Sequence, residues 1–390
     1  MKILFASDSF KGSLTSGRIA ELLEEVTREV FPDAATEGLL VADGGEGTME
    51  AVVGQMHGSY RKAVVAGPLW EEVEAVYGLL PDARAVIEMA QASGLPLLPE
   101  EKRCPLQTTS FGTGMLIRDA LERGIRDIVI AIGGSATNDG GMGAMSALGV
   151  RFLDESGALL RGCGEDLGRV RAVDVSRLHP AAREAAFTVM CDVTNPLLGN
   201  EGATYTFGPQ KGADAGMLKL LEQGMRHYAD VTETATGKDC SLRSGAGAAG
   251  GLGFALMAFL NAELKPGAEA VLDLLHFDEK LRGTDLVITG EGRMDRQSVS
   301  GKLPSAVGRR CKRAGVCAVA VTGSLADGYQ AIYREGICSA VTTVSGVMDL
   351  HEAVRRSGEL YRDAAFRLLS AVKCGMEISS AGGRKSEGKG

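Results

Sequence analysis

Residues 3–6 form an uninterrupted apolar run, and over 14–30 the apolar positions recur every three or four residues. The pattern predicts a buried strand and then an amphipathic helix with Ser13 or Thr15 at its N-cap. A second run, 38–41, predicts another strand; it leads into Ala42-Asp43-Gly44-Gly45-Glu46-Gly47, with a helix expected over 48–53. Such a β-α-β-α opening places its chemistry-bearing loops at the C-terminal ends of strands. From residue 61 the rhythm shortens. Candidate strands at 63–65, 73–79 and 85–89, separated by Gly-Pro-Leu-Trp and Leu-Pro-Asp-Ala turns, predict a small antiparallel patch. A helix over 114–123 and strands at 128–132, 150–153 and 187–190 follow, then a long glycine-rich middle. The last third alternates again: strand 285–289, helix near 304–313, strands 317–321 and 340–344, and a helix over 350–372. The fold class expected is α/β with two domains. One is discontinuous, over 1–60 and 281–375, and is interrupted by a second α/β domain over 61–280; residues 376–390 read as a disordered tail.

Composition changes this picture in one respect. Glycine accounts for 53 of 390 residues, about twice the ordinary ~7 %, with no collagen-like period. Backbone is being brought close to something. A net charge of −8 without a dense Lys/Arg block argues against nucleic acid or an anionic membrane as the main partner, while leaving room for a local anion site. Asp8 cuts the N-terminal apolar stretch too early for a signal peptide, and no apolar run reaches the ~20 residues of a membrane span, so a cytoplasmic protein is expected. The eight cysteines lack CxxC or Cys/His ligand spacing and read as reduced thiols; the five histidines sit in no motif.

The glycines cluster with charged and amide residues in seven segments: Asp8-Ser9-Phe10-Lys11-Gly12-Ser13, Asp43-Gly44-Gly45-Glu46-Gly47-Thr48, 133–141, Cys191-Asp192-Val193-Thr194-Asn195-Pro196, Gly208-Pro209-Gln210-Lys211-Gly212, 245–253, and Gly290-Glu291-Gly292-Arg293-Met294-Asp295. Backbone N–H groups converge on a phosphate only where no Cβ intervenes. The loop 133–141 fits this best, because it follows a strand and runs into an Ala/Met helix; the alternative is a tight turn capped by Asn138 or Asp139. Gly245-Ala246-Gly247-Ala248-Ala249-Gly250 matches GxGxxG, yet no strand precedes it, so close helix packing competes with dinucleotide binding there. Phosphoryl transfer needs cations on the migrating group, a metal, and a carboxylate to orient the attacking hydroxyl. Lys11 and Lys211, each followed by glycine, are the best phosphate-contacting lysines, and Asp8, Asp43, Asp192 and Asp295 stand at or beyond predicted strand ends. One of the four acids is expected merely to cap a helix or hold a turn.

These segments, with Ala90-Gln91-Ala92-Ser93-Gly94-Leu95-Pro96, Pro105-Leu106-Gln107-Thr108-Thr109 and Gly301-Lys302, resemble the bacterial-type glycerate kinase family, in order from residue 7 to about 302 and more loosely to about 375. Ser7 stands where the family has proline and Cys104 where it has asparagine; neither change removes a charge. The resemblance implies a flavodoxin-like domain interrupted by a restriction-endonuclease-like one. It also implies ATP-dependent, Mg²⁺-assisted phosphorylation of D-glycerate at the 2-hydroxyl, with the 3-hydroxyl or a related small hydroxy acid as alternatives. Asp192, Lys11 and Arg293 are then the expected catalytic groups. Asp8, Ser9, Asn195 and Lys211 are expected on the substrate, and Gly133, Gly134, Ser135, Thr137, Asn138, Gly140 and Gly141 on the nucleotide. Asp43, Glu46 and Asp295 are expected on the metal. Because these residues fall in both predicted domains, the site is expected between them, in a monomer or homodimer whose partners are glycerate and ATP.

Overall fold

The apolar runs of the sequence become the central strands of two sheets in a computed structural model that describes residues 1–41, 47–299 and 301–387. The strands used below are β1 (Lys2–Ser7), β2 (Ala35–Leu40), β3 (Ser59–Ala66), β4 (Glu72–Leu79), β5 (Arg84–Glu88), β6 (Asp127–Ala131), β7 (Ala186–Met190), β8 (Glu263–Lys265), β9 (Leu286–Gly290), β10 (Cys317–Thr322) and β11 (Ile337–Thr342). The chain divides into two compact units, Met1–Asp43 with Val271–Gly390, and Gly44–Ala270.

In the first unit the order is β2-β1-β9-β10-β11, all parallel. Numbered within the unit this is 2-1-3-4-5, the flavodoxin-like order. Ile3, Leu4, Phe5, Val287 and Ile288 are buried, as continuous apolar strands covered on both faces must be. The helix Ser16–Val30 starts at Thr15, whose hydroxyl accepts from the Arg18 N–H. It buries Ile19, Leu22, Leu23 and Val26 with Tyr361, Ala365 and Leu369 of the helix Ser357–Glu387. That second helix runs well past residue 372, through most of the segment whose composition reads as a tail.

The second unit holds a six-stranded mixed sheet, β8-β7-β6-β5-β4-β3. The predicted antiparallel patch is real but is only its flank: β3, β4 and β5 pair antiparallel, whereas β5, β6, β7 and β8 are parallel. The chain leaves the first unit before the change of rhythm at 60. The helix Thr48–Gln55, whose spacing continues the α/β opening, packs on β4, so closely that a Cβ at Gly78 would lie 2.3 Å from Val53. The glycine-rich middle contains a 22-residue helix, Ala215–Thr236, in which Asp214 accepts from the N–H groups of Gly216 and Met217 and Gly237 ends the helix in the left-handed region. Its buried stripe, Leu221, Met225, Tyr228 and Ala229, is interrupted in the sequence by Gly224 and late threonines, which blurs the 3.6-residue period.

Candidate active site

Ligands of doubly wound sheets sit where the strand order reverses, beyond the C-terminal ends of the strands. In the first unit that point lies between β1 and β9, where the Asp8 N–H donates to the Gly290 carbonyl at 3.0 Å. Asp8 accepts from the Ser9 N–H at 2.7 Å, which turns the loop outward and leaves Lys11 exposed. The loop after β9 runs against it: a Cβ at Gly292 would lie 3.5 Å from the Phe10 Cα. Arg293 is 69 % exposed, its Nε 3.6 Å from an Asp295 carboxylate oxygen, and the Asp295 N–H donates to Ser298 Oγ. The sheet therefore gathers Asp8, Ser9, Lys11, Arg293 and Asp295 on one edge: two exposed cations beside two carboxylates. Sequence reasoning passed over Glu291 here. It is buried, with Lys302 Nζ 3.2 Å from its Oε2; burial pushes its carboxyl up and Lys302 opposes the shift. A lone acid between two glycines directly after the strand Leu286-Val287-Ile288-Thr289 was the available signal.

In the second unit Ala131 pairs with Met190, so the loops after β6 and β7 leave the sheet side by side. Gly133 and Gly134 are exposed, and among the described residues their N–H groups meet no acceptor. Gly134, at φ 70°, is held by its carbonyl, which accepts from the Leu95 N–H at 2.8 Å. The remainder of the loop turns inward. Ser135, Thr137 and Asn138 are buried, and Gly140 packs so tightly that a Cβ would lie 2.5 Å from the Tyr228 ring. The run 245–253 is its packing partner: the Gly140 N–H donates to the Gly250 carbonyl at 2.9 Å, and a Cβ at Gly250 would stand 2.0 Å from the Thr137 carbonyl oxygen. The GxGxxG likeness is thus a consequence of close backbone packing. Of the residues assigned to the nucleotide, only Gly133 and Gly134 present backbone to solvent.

The buried end of the loop is tied by two charged groups. Asp139, fully buried, accepts from the Ser110 N–H and Oγ–H at 2.8 and 2.7 Å and from the N–H groups of Gly141 and Gly143 at 3.0 and 3.2 Å. Burial pushes its carboxyl up, and these donors oppose the shift. Lys211 is 1 % exposed and donates from Nζ to the Thr137 carbonyl at 2.7 Å, so it supports the loop from within. Burial lowers its ammonium to about 7, with Asp139 opposing. A lysine whose folded-state value lies below its ordinary value of 10.5 is protonated more readily when unfolded, so between about 7 and 10.5 this group makes stability rise with pH. Urea midpoints measured across that window should climb in the wild type and climb less in Lys211→Met.

Asp192 is exposed two residues beyond β7, and its Oδ1 accepts from the Gly267 N–H at 2.9 Å, where the helix Gly267–Leu274 begins. Asp192 thus sits at the N-terminus of an α-helix. Asn195 donates from Nδ2 to the Glu201 carbonyl at 2.7 Å, and its own carbonyl accepts from the Gly247 N–H at 3.0 Å, which pins the loop after β7. Asp43 and Glu46 lie outside the described residues. Among those that are described, no three His, Cys, Asp or Glu side chains form a metal cluster, and no helix is long and apolar enough to cross a membrane. All eight cysteines are free thiols.

A family model described as the glycerate kinase family matches residues 3–373. A glycerate kinase of Halalkalibacterium halodurans is 45% identical over 93% of this chain and 96% of its own length. The glycerate 2-kinase of Escherichia coli K12 is 45% identical over 96% of this chain and 99% of its own. A crystal structure from Salmonella typhimurium LT2, described as that of a candidate glycerate kinase 2, superposes with a TM-score of 0.85 at 42% identity, covering 97% of this chain and 99% of that one.

Proposed function

The chain belongs to the glycerate kinase family, and from that premise we propose that it transfers the γ-phosphoryl group of ATP to the 2-hydroxyl of D-glycerate, in the cytoplasm. The observation that carries this reading is the placement of the family motifs at the C-terminal edges of the two sheets, with cations and carboxylates on one and exposed glycine amides beside a carboxylate on the other. Lys11 and Arg293 offer positive charge to the glycerate carboxylate or the migrating phosphoryl group, and Asp8 and Ser9 contact the substrate. Gly133 and Gly134 hold nucleotide phosphates through their N–H groups. Asp192 accepts the proton of the attacking hydroxyl. Mg²⁺ commonly binds through one or two carboxylates plus the phosphates, so the half-buried carboxylates of Asp8 and Asp295 would suit it without a dedicated cage, and the ion would neutralise phosphate charge there.

A coupled ADP-release assay with MgATP and D-glycerate tests the reaction, and phosphorus NMR of the product separates the two hydroxyls. Turnover with glycerate and a 2-phospho product is expected; a 3-phospho product overturns the regiochemistry, and no glycerate-dependent ADP release overturns the whole reading.

The glycine loop gives a sharper test. Gly134→Val places a side chain at an exposed position of φ 70° where only Ala90 is near, at 3.4 Å. It should raise KM for ATP by about tenfold or more while leaving KM for glycerate nearly unchanged, with a backbone cost of about 1–2 kcal/mol. Gly140→Val, driven into Tyr228, should instead lose soluble folded protein. Equal losses for both substrates in Gly134→Val would remove the phosphate role.

A further inference from the structure

The segment Lys238-Asp239-Cys240-Ser241-Leu242-Arg243 takes no part in either sheet edge. With Met257, Asn261 and Ala262 it lines a cavity of about 320 Å³ in the second unit. Asn261 and Ala262 stand before β8, whereas Asp192 and Gly267 meet beyond its other end, so this cavity is separate from the edge that carries the glycine loop.

Two helices end here, Ala215–Thr236 at Gly237 and Ala248–Leu260 at Asn261, both through left-handed residues. Their terminal carbonyls would ordinarily favour a cation. Several are already satisfied within the chain. The Glu233 carbonyl accepts from the Gly237 N–H, the Leu256 carbonyl from the Ala262 N–H, and the Ala258 carbonyl from Lys238 Nζ at 2.6 Å. What the helix ends leave over is donors. The Arg243 guanidinium is exposed and makes no hydrogen bond or ion pair among the described residues, and the Asn261 carboxamide makes no side-chain hydrogen bond. Lys238 has three N–H groups, of which the Ala258 carbonyl takes one. The single carboxylate of the lining, Asp239, accepts from Ser241 Oγ at 3.4 Å. In the lining Lys238 and Arg243 stand against Asp239, while the nearby Glu233 carboxylate is held by the Ser241 N–H at 3.3 Å; the positive group unpaired among the described residues is the Arg243 guanidinium, beside buried Met257 and Cys240.

We infer that this cavity is a binding site for a small organic anion, a carboxylate or phosphate monoester of a few carbons, gripped by Arg243 with Lys238 and Asn261 beside it. Guanidinium groups pair with carboxylate and phosphate in two parallel hydrogen bonds, which suits Arg243 to the anionic end. The volume is at the small end of ligand pockets, about 300–1,000 Å³, which selects a compact metabolite over a nucleotide. Met257 and Cys240 would cover its carbon part.

The test is calorimetric titration of the full-length protein, with citrate, glycerol 3-phosphate and inorganic phosphate as probes, each against wild type, Arg243→Ala, Lys238→Met and Lys11→Met. Saturable binding of citrate or of glycerol 3-phosphate is expected, weakened about tenfold or more by Arg243→Ala and unchanged by Lys11→Met, and the tighter-binding probe assigns the carboxylate or the phosphate ester. Lys238→Met should weaken it less, because that ammonium already serves the Ala258 carbonyl. No saturation by about 10 mM, or affinity that survives Arg243→Ala with an unchanged melting temperature, overturns the site. Binding lost in Lys11→Met places the ligand at the edge of the first unit and overturns it equally. Inorganic phosphate binding as tightly as either organic anion overturns the role of Met257 and Cys240. Because binding is read directly, the result stands whether or not the proposed phosphoryl transfer does.

Discussion

Asp192→Asn is expected to lower kcat by about 10²–10⁴-fold, the usual loss when a positioned general base is removed. The melting temperature should stay near that of the wild type, because an asparagine oxygen can still accept from the Gly267 N–H that Asp192 now holds at 2.9 Å. The same substitution thus separates two jobs, capping a helix and taking a proton, that one carboxylate performs in this reading. Asp192→Ala loses both, adding a stability cost of about 0.5–2 kcal/mol to the kinetic one. Steady-state kinetics beside thermal melts of the two variants decide the matter. Near-full turnover in Asp192→Asn would reduce Asp192 to a cap and move the proton acceptor to the edge of the first unit, where Asp8→Asn is the next variant to measure.

Asp139→Ala should cost on the order of 4 kcal/mol in unfolding free energy, among the largest effects of any single substitution here. Asp139 is fully buried and accepts from four donors at Ser110, Gly141 and Gly143, and the truncated residue strands all of them without water to replace it. It also strips Lys211 of the nearby negative charge that supports its protonated form. Urea unfolding followed by circular dichroism measures the loss. A change within about 0.5 kcal/mol, the range of ordinary surface substitutions, would mean that the buried end of the glycine loop is held by packing alone. Glycine substitutions at the exposed end act on ligands instead, so the loop is expected to divide into a folding half and a binding half.

Much of this was legible along the chain. Thr15 caps its helix, the strands at 3–6 and 285–289 stand side by side within the first sheet, and Asp8, Lys11, Asp192 and Asp295 do follow strand ends. Capping, apolar period and strand-then-glycine punctuation are local: each is decided by residues within one or two turns of one another, so they can be read without a fold. Family membership belongs with them, since it rests on the order of short motifs.

Other features depend on partners far away in sequence. Lys11 and Lys211 look alike on paper, each a lysine before a glycine, yet one is exposed and the other is sealed under Thr137, 74 positions away. Gly134 and Gly140 both need positive φ, but only Gly140 is backed by Tyr228, which arrives on a helix that the sequence pattern hid. Whether a charged or glycine residue faces ligand or core is set by which distant segment packs over it, and desolvation then decides its chemistry. The sequence by itself determined the elements of the first unit, the Thr15 cap and the family. Only the tertiary structure decided strand order, which glycines stay open, and which of two similar lysines faces water, because burial is a property of contacts made across the fold.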